Sequence, residues 1–254
     1  MTTLGNILVA GANGMIGRAC VQEIEADNEA VVFAPSRKEL DLKDKLVLQT
    51  YLQDNFIDHV IFAAGKVGGI VENLEKPAEF IYENASLSLS GISAASNAGV
   101  KSMVVFGSSC VYPLSAAQPY EESSILTGAI EETSFAYATA KILTINAALA
   151  FNRQYPSGTR FIPVIPNSVY GPYDNYDVKS SHVMAALIRK IFDAAKSGAK
   201  KIELWGSGEP KREFVYVDDV ANATLFLLKN GSDESLTPTN IGGSQEITIR
   251  ELAK

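Results

Sequence analysis

The sequence is poor in the residues that build disulfide frameworks and metal centres. Its 254 residues include only two cysteines, Cys20 and Cys110, and only two histidines, His59 and His182. A small disulfide-stapled domain needs more cysteines, and a structural zinc site needs a cluster of cysteine and histidine side chains. We therefore expect reduced thiols and no metal site.

Positive charge and long apolar runs are also scarce. Lysine and arginine number 22 against 29 aspartates and glutamates, which gives a formal net charge of −7. A general nucleic-acid-binding protein usually carries a basic surplus, although a few local cations suffice for a small anionic ligand. No apolar stretch approaches the ~18 residues that span a membrane, and the first residues lack a signal-peptide pattern. The sequence predicts a cytoplasmic protein that binds neither nucleic acid nor membranes.

The apolar residues that are present, 46% of the chain, follow the alternation of an α/β protein. Short runs rich in valine, isoleucine and phenylalanine alternate with longer helix-like segments, and such strands are typical of a parallel sheet covered on both faces. Residues 1–171 are therefore predicted to form a doubly wound Rossmann domain. The predicted strands cover residues 6–10, 30–34, 59–64, 102–107 and 161–165, and the predicted helices cover residues 15–28, 78–98 and 135–155, with Gly99 as a C-cap.

Residues 172–254 have a different texture and predict a smaller, mixed α/β segment for substrate binding, with some elements returning to the Rossmann domain. The predicted elements are a helix over residues 182–197, strands over 201–204 and 213–217, and a helix over 219–229. Thr248 and Glu251 have the spacing of a capping box, which begins a helix, but the chain stops three residues later. We expect the natural chain to continue; a frayed terminal turn is the alternative.

A glycine-rich loop directly follows the first predicted strand and opens a helix. Gly11 permits the tight turn, Gly14 lets the backbone approach a pyrophosphate, and Gly17 lets helix and strand pack closely. The helix N-terminus adds free N–H donors and partial positive charge. This position in the chain predicts a dinucleotide site, formed by Gly11, Ala12, Asn13, Gly14, Met15, Ile16 and Gly17.

The end of the second predicted strand indicates which dinucleotide binds. NAD sites usually place an acidic residue there to hold the ribose 2′-hydroxyl, whereas this sequence has Ser36 and Arg37. A guanidinium suits a 2′-phosphate, so Arg37 favours NADP(H) as cofactor. The alternative is that Arg37 is only a solvated loop cation.

Tyr137 and Lys141 lie four residues apart in an alanine-rich predicted helix and so share one helix face. We expect Lys141 to lower the pKa of the Tyr137 phenol and to hold the nicotinamide ribose. The phenol would donate a proton to a carbonyl oxygen as hydride arrives. Ser108 and Ser109 follow the preceding strand, at the carboxyl edge where doubly wound folds bind ligands.

The glycine loop, the strand-end serine and the Tyr-x-x-x-Lys pair, in this order, resemble the extended short-chain dehydrogenase/reductase family, whose members act mostly on nucleotide sugars. Within it the chain resembles the GDP-L-fucose synthase family. That closer resemblance is carried by AAGKVGGIVENLEKPAEFIYEN, FGSSCVYP, AYATAK, VYGPYDNYD, SSHVMAALIRK and WGSGEPKREFVYVDD.

This resemblance implies an enzyme with two chemistries in one site. Cys110 as base and His182 as acid would epimerise C3 and C5 of GDP-4-keto-6-deoxy-D-mannose, where the 4-ketone acidifies both protons. NADPH would then reduce C4 to give GDP-L-fucose, with Tyr137 protonating the oxygen and Ser108 and Lys141 assisting. Ser109 is the alternative to Ser108 in this role. Without the resemblance, it is equally consistent with the sequence that Cys110 is only a small buried hydrophobic residue.

The resemblance also implies further contacts. Trp205, Arg212 and Lys190 would bind the GDP-sugar, although helix geometry alone favours Arg189 over Lys190. His59 matches no catalytic position. Cofactor contacts would also come from Phe106, Gly107, Lys141, Pro166, Asn167, Ser168, Val169 and His182.

Some residues depart from the family pattern. Asn13 stands where some members carry an arginine for the cofactor phosphate, which leaves more of the NADP preference to Arg37. Two other functions stay open: a related enzyme acting on another GDP-keto-deoxysugar of the colitose type, and a catalytically silent NADP-binding protein. A simple 4-epimerase is disfavoured because it has no use for the Cys110–His182 pair. The resemblance further implies a homodimer formed by the predicted helices 78–98 and 135–155.

Overall fold

The computed structural model describes residues 4–27, 30–177, 180–204, 206–231, 236–243 and 245–254. The strands are β1 (Gly5–Ala10), β2 (Ala30–Phe33), β3 (His59–Phe62), β4 (Ser102–Phe106), β5 (Arg160–Pro166), β6 (Ser168–Tyr170), β7 (Lys211–Tyr216), β8 (Thr239–Ile241) and β9 (Glu246–Thr248). The helices are α1 (Met15–Asp27), α2 (Lys45–Asp54), α3 (Ile70–Glu75), α4 (Pro77–Ala98), α5 (Phe135–Gln154), α6 (Val183–Ser197), α7 (Val217–Asn230) and α8 (Ile249–Leu252).

The main sheet has six strands in the order β2-β1-β3-β4-β5-β8, and every neighbouring pair is parallel. The chain leaves β1 toward β2 on one side and returns to β3 on the other, so the strand order reverses between β1 and β3. Open α/β sheets bind ligands at such a reversal, outside the carboxyl ends of the strands. The predicted doubly wound Rossmann fold is confirmed.

Both faces of this sheet are buried, as the continuous apolar strands predict. Ile7 and Val9 of β1 pack with α1 and α7 in one core cluster. Leu8 and Ala10 of the same strand pack with α2, α4 and α5 in the other. Gly99 ends α4 in the left-handed conformation with φ 73°, as predicted for a C-cap glycine.

A second, three-stranded sheet has the order β6-β7-β9, with β6 and β7 parallel and β7 and β9 antiparallel. Residues 213–217 were predicted as a strand and correspond to β7, whereas the strand predicted over residues 201–204 is wrong. Side-chain exposure alternates along residues 201–204, but no strand among the described residues pairs with them, and a strand needs such a partner. The capping box is present: Thr248 Oγ1 accepts from Glu251 N–H at 3.1 Å, and Thr248 N–H donates to Glu251 at 3.0 Å.

One helical stretch, Glu132–Gln154, is long and apolar enough by length and composition to cross a membrane. The prediction that no apolar stretch is long enough to span a membrane is therefore wrong for this segment. Much of α5 is buried against α4, β4 and β5, with Ala138, Ala140 and Ala148 fully covered. The apolar character of α5 thus reflects its place in the core.

Candidate active site

The glycine loop between β1 and α1 has the geometry of a phosphate cradle. Gly11 has φ 84°, and a Cβ there would lie 2.7 Å from the backbone nitrogen of Ala64. A Cβ on Gly17 would overlap the Gly11 carbonyl group. A Cβ on Gly14 would meet only the Gly11 oxygen, at an ordinary 3.4 Å. Packing therefore requires Gly11 and Gly17, whereas the space beside Gly14 is open on the side where a pyrophosphate would approach.

The other residues of this loop divide between core and surface. Ala12 is buried, Met15 and Ile16 pack partly against the core, and Asn13 is exposed. The Asn13 carbonyl oxygen accepts from Arg18 Nε at 3.1 Å, and the Arg18 guanidinium lies 4.6 Å from the centroid of the Tyr173 ring.

Arg37 follows the neighbouring strand β2 and is exposed. The adjacent turn is closed by Glu39, whose carboxylate accepts from Ser36 N–H at 2.7 Å. That hydrogen bond lowers the pKa of Glu39. The carboxylate is thus bound within the turn, and the cations Arg37 and Lys38 are exposed beside the strand end.

Ser108, Cys110, Tyr137 and Lys141 come together at the carboxyl end of β4. Ser108 is extended, and Ser109 begins a single 3-10 turn that carries Cys110. Burial raises the pKa of both the Cys110 thiol and the Tyr137 phenol, and hydrogen bonding by the Ser108 hydroxyl acts on both in the opposite direction. Ser108, rather than Ser109, therefore joins the two groups.

Lys141 is 7% exposed and is held by one short contact, Nζ donating to the Phe106 carbonyl oxygen at 2.8 Å. Its Nζ lies 5.6 Å from the centroid of the Tyr137 ring. Burial lowers the pKa of Lys141 to about 8, and the neighbouring Cys110 acts in the opposite direction. Gly107 allows this close packing, because a Cβ there would lie 2.9 Å from Ile145 Cδ1 of α5.

The expected lowering of the Tyr137 pKa is wrong. Burial raises the pKa of Tyr137, the nearby Cys110 raises it further, and only the Ser108 hydrogen bond lowers it. Desolvation outweighs the effect expected from Lys141, whose ammonium bonds the Phe106 carbonyl. Burial likewise raises the pKa of the Cys110 thiol, against the opposing effects of Ser108 and Lys141. Tyr137 therefore stays protonated at neutral pH and can donate a proton.

His182 lies on a different element, at the N-cap of α6, and is exposed. Its charge lowers the pKa of Asp174, which burial raises, so the two side chains are neighbours. Within the described residues no hydrogen bond joins His182 to Cys110. The structure thus brings four of the five predicted catalytic residues into one cluster and places the fifth on the adjoining segment.

Two of the predicted substrate contacts, Lys190 and Arg212, lie among the described parts of residues 172–254, which we call the second region. Lys190 is half-buried and donates to the Glu203 carbonyl oxygen at 3.2 Å, whereas Arg189 is exposed and pairs with Asp193 at 2.7 Å. Arg212 is exposed and donates to the Lys211 carbonyl oxygen at 2.7 Å. Trp205 lies outside the described residues.

Pro166, Asn167, Ser168 and Val169, the predicted cofactor segment, join β5 to β6. The Asn167 side chain turns toward β7, where Nδ2 donates to Glu213 Oε2 at 2.8 Å, and its Oδ1 accepts from Ser168 N–H at 2.9 Å. His59, by contrast, bonds Ser102 at 2.7 Å where β3 and β4 begin, at the opposite edge of the main sheet.

Sequence reasoning missed Asn84 and Phe80, two neighbours of this site on α4. Phe80 is fully buried and packs edge-on against the Tyr137 ring, with centroids 6.1 Å apart. Asn84, 2% exposed, bonds the backbone of Lys66 next to Lys141. An available signal was the polar Asn84 four residues after Phe80 and three before Leu87, which places it on the apolar face of the helix.

Residues 7–242 match the NAD dependent epimerase/dehydratase family. A curated relative, the GDP-L-fucose synthase of Sinorhizobium fredii, is 41% identical over 97% of this chain and 77% of its own. The GDP-L-colitose synthase of Yersinia pseudotuberculosis is 36% identical over 98% of this chain and 80% of its own. A GDP-L-fucose synthetase of Naegleria fowleri, solved with NADP bound, superposes with a TM-score of 0.89 at 25% identity over 100% of this chain and 77% of its own.

Proposed function

Because the chain belongs to the NAD dependent epimerase/dehydratase family, we propose that it is a bifunctional enzyme, which converts GDP-4-keto-6-deoxy-D-mannose to GDP-L-fucose by 3,5-epimerisation and NADPH-dependent 4-reduction. The observation that carries this proposal is the contact of Ser108 with both Cys110 and Tyr137 beside the buried Lys141. A thiol suited to epimerisation and a phenol suited to reduction thus share one hydroxyl. The GDP-L-fucose synthases among the relatives support the same assignment.

The residues present fit NADP(H). The open side of Gly14 and the free N–H groups at the start of α1 suit a pyrophosphate, and the exposed Arg37 suits a 2′-phosphate. When bound, NADPH supplies the hydride that reduces C4. We propose that residues 1–171 form the NADP-binding domain. The residues that would hold the cofactor are 11–17, Arg37, Phe106, Gly107, Lys141, 166–169 and His182.

In the epimerisation, Cys110 removes a proton from the sugar carbon next to the 4-ketone and His182 returns one to the opposite ring face. The thiol must give up its proton to act as base. Lys141 and Ser108 both favour the thiolate, although burial disfavours it. His182, at the surface end of α6, can exchange its proton with solvent between turnovers.

In the reduction, Tyr137 donates its phenolic proton to the C4 oxygen. Its raised pKa keeps that proton in place at neutral pH, and Ser108 provides a second hydrogen bond to the same oxygen. Lys141 sits beside the ring, fixed by the Phe106 carbonyl, and supplies positive charge and a donor for the cofactor ribose.

The GDP-sugar itself is bound by residues 172–254, through Lys190, Trp205 and Arg212. An arginine offers a bidentate grip on a diphosphate, and a lysine offers a point charge. Arg189 is the alternative to Lys190, but its guanidinium is paired with Asp193.

We also propose that the protein is a cytoplasmic homodimer formed by α4 and α5. Both helices expose apolar side chains, among them Ile81 and Leu89 on α4 and Leu143 on α5. Their burial against a second copy would remove this surface from water. Sedimentation as a strict monomer at micromolar concentration would contradict the dimer.

The test uses the purified protein with NADPH and GDP-4-keto-6-deoxymannose. Absorbance at 340 nm should fall, and the product sugar should be L-fucose. Cys110→Ser should abolish inversion at C3 and C5 while NADP⁺ still oxidises GDP-L-fucose in the reverse direction, since that step needs no thiol. Ser109→Ala is the matched control and should keep both activities. NADPH binding without turnover of any GDP-keto sugar would favour the silent NADP-binding protein instead.

A second candidate is an enzyme for a colitose-type GDP-keto-deoxysugar, which the 36% identical GDP-L-colitose synthase favours. The ratio of kcat/KM for the two keto sugars decides between them. A larger value for the colitose-type sugar would replace the first assignment.

A further inference from the structure

Residues 65–69, the Gly-Lys-Val-Gly-Gly segment after β3, connect the two halves of the proposed site, and we name them the bridge loop. At one end Asn84 of α4 holds Lys66: Oδ1 accepts from the Lys66 N–H and Nδ2 donates to the Lys66 carbonyl oxygen, both at 3.0 Å. The neighbouring Gly65 lies beside the cluster, because a Cβ there would be 3.8 Å from Lys141 Nζ. This end of the loop is therefore fixed next to Tyr137 and Lys141.

The other end of the bridge loop lies against the segment that leads into His182. The Gly69 N–H donates to the Ser180 carbonyl oxygen at 2.8 Å. A Cβ on Gly69 would lie 2.8 Å from the Ser181 carbonyl oxygen, which leaves no room for a side chain. His182 is the next residue and is the N-cap of α6. The backbone contact with Gly69 thus sets where α6 starts.

Asn73 of α3 fixes this second end. Its Nδ2 donates to the carbonyl oxygens of Gly68 and Gly69, at 2.9 and 3.0 Å, and the side chain is 7% exposed. The other amide atom, Oδ1, is buried without a hydrogen-bond partner among the described residues. The two Nδ2 hydrogen bonds thus tie the backbone of the bridge loop to α3.

We infer that Asn73 is a positioning residue for His182, acting through Gly69 and residues 180–181, and that it serves the epimerisation half of the reaction. This inference rests on the proposed function. Loss of the Asn73 hydrogen bonds frees the Gly69 end of the loop and displaces His182 relative to Cys110. The Asn84 end stays anchored, so Tyr137 and Lys141 keep their places.

The experiment separates the two half-reactions in Asn73→Leu. Epimerisation is followed without NADPH, as exchange of the C3 and C5 hydrogens of GDP-4-keto-6-deoxymannose with solvent deuterium. Hydride transfer is followed separately, as oxidation of GDP-L-fucose by NADP⁺ in a single turnover. We expect the exchange rate to fall by about 100-fold, the effect of a misplacement of about 1 Å, with hydride transfer near the wild-type rate.

Three further variants make the result specific. Gly69→Ala, which displaces the same contact by adding a Cβ, should give the same selective loss. Glu75→Ala, an exposed position on α3, should leave both rates unchanged. Asn84→Leu, the matched change at the opposite end of the loop, should lower hydride transfer instead. Equal loss of both rates in Asn73→Leu, or exchange at the wild-type rate, would overturn the inference.

A readout independent of turnover keeps the inference apart from the proposed function. The chain has two histidines, so a His59→Gln background leaves one imidazole signal in the NMR spectrum, that of His182. Asn73→Leu should change the chemical shift of that signal at a fixed pH, and Glu75→Ala should not. If the wild-type protein turns over neither sugar, the proposed function fails, and this chemical shift still reports whether His182 has moved. An unchanged chemical shift in a folded Asn73→Leu protein would refute the inference by itself.

Discussion

The cluster at the end of β4 and the polar residues of the second region differ in how far their side chains are fixed before a ligand binds. Lys141 is almost fully buried and bonds the main chain, and Ser108 and Tyr137 beside it are half-buried. Lys190, which is half-buried, and Arg212, which is exposed, donate to backbone oxygens of their own region. The first group is organised before any ligand arrives, whereas the second must exchange its contacts for those of a ligand.

This difference has an energetic consequence. Keeping a lysine and a phenol away from water costs stability, but it fixes the dipoles that stabilise developing charge. Exposed side chains cost little, and they gain interactions only when a ligand binds. Changes in the buried cluster should therefore affect the chemical step and stability, and changes in the second region should affect substrate affinity.

The largest effect is expected for Tyr137→Phe. Loss of the proton donor should lower kcat for reduction by about 100- to 10,000-fold, while NADPH affinity stays unchanged because the ring remains. The measurement is single-turnover NADPH oxidation together with NADPH binding by fluorescence. Tyr155→Phe, an exposed tyrosine at the end of the same helix, serves as control and should keep full activity. If Tyr137→Phe kept more than a tenth of kcat, another group would be the donor.

Lys141 should give the protein a stability that rises with pH. Its pKa falls from 10.5 to about 8 in the folded state, which corresponds to on the order of 3 kcal/mol. Below pH 8 both folded and unfolded states hold the proton and this cost is fully present. Between about pH 8 and 10 the unfolded state binds more protons, so stability increases as pH rises.

Urea unfolding of the wild-type protein and of Lys141→Met isolates this contribution. The stability of the wild-type protein relative to Lys141→Met should improve by up to about 3 kcal/mol between pH 8 and 10. A difference that is independent of pH would mean that Lys141 keeps an ordinary pKa in the folded protein.

Much of this buried region could be predicted from the sequence. Apolar strands and the glycine loop are local signals, so the Rossmann order, the cradle at Gly11 and the Gly99 cap all follow from short stretches of chain. The order of Ser108, Tyr137 and Lys141 along an α/β pattern also brings them to the same edge of the sheet. Their proximity is a consequence of topology rather than of any distant detail.

The rest depends on surroundings that a sequence does not display. The pKa of Tyr137 was predicted to fall because Lys141 is near, but the extent of desolvation sets the sign. Residues 201–204 alternate like a strand but find no partner strand among the described residues. Asn84 bonds the Lys66 backbone 18 residues earlier in the chain, and the helix pattern that places Asn84 on an apolar face does not identify that partner.

Substitution of Arg37, at the exposed end of β2, should have a moderate effect on the preference for NADPH over NADH. Arg37→Ala should weaken NADPH binding by about 10- to 100-fold, the range for one charge-assisted hydrogen bond, and should leave NADH binding unchanged. Equilibrium titration of both cofactors measures this ratio, and high salt should reduce the difference because the group is exposed. Arg153→Ala, an exposed arginine in the last turn of α5, is the control for net charge. Equal weakening of NADPH and NADH would assign Arg37 to the shared part of the dinucleotide.

The smallest effect concerns two neighbours on α6 that the sequence could not separate. Lys190→Ala should raise KM for the GDP-sugar by about two- to fivefold with kcat unchanged, since a partly exposed ion contact is worth up to about 1 kcal/mol. Arg189→Ala should change KM less, because Asp193 at 2.7 Å already holds its guanidinium. The comparison becomes sharper in Asp193→Ala, which releases Arg189 without touching Lys190. KM could fall in Asp193→Ala and stay normal in Lys190→Ala. That result would assign the substrate contact to Arg189 and would show that its ion pair with Asp193 competes with the ligand.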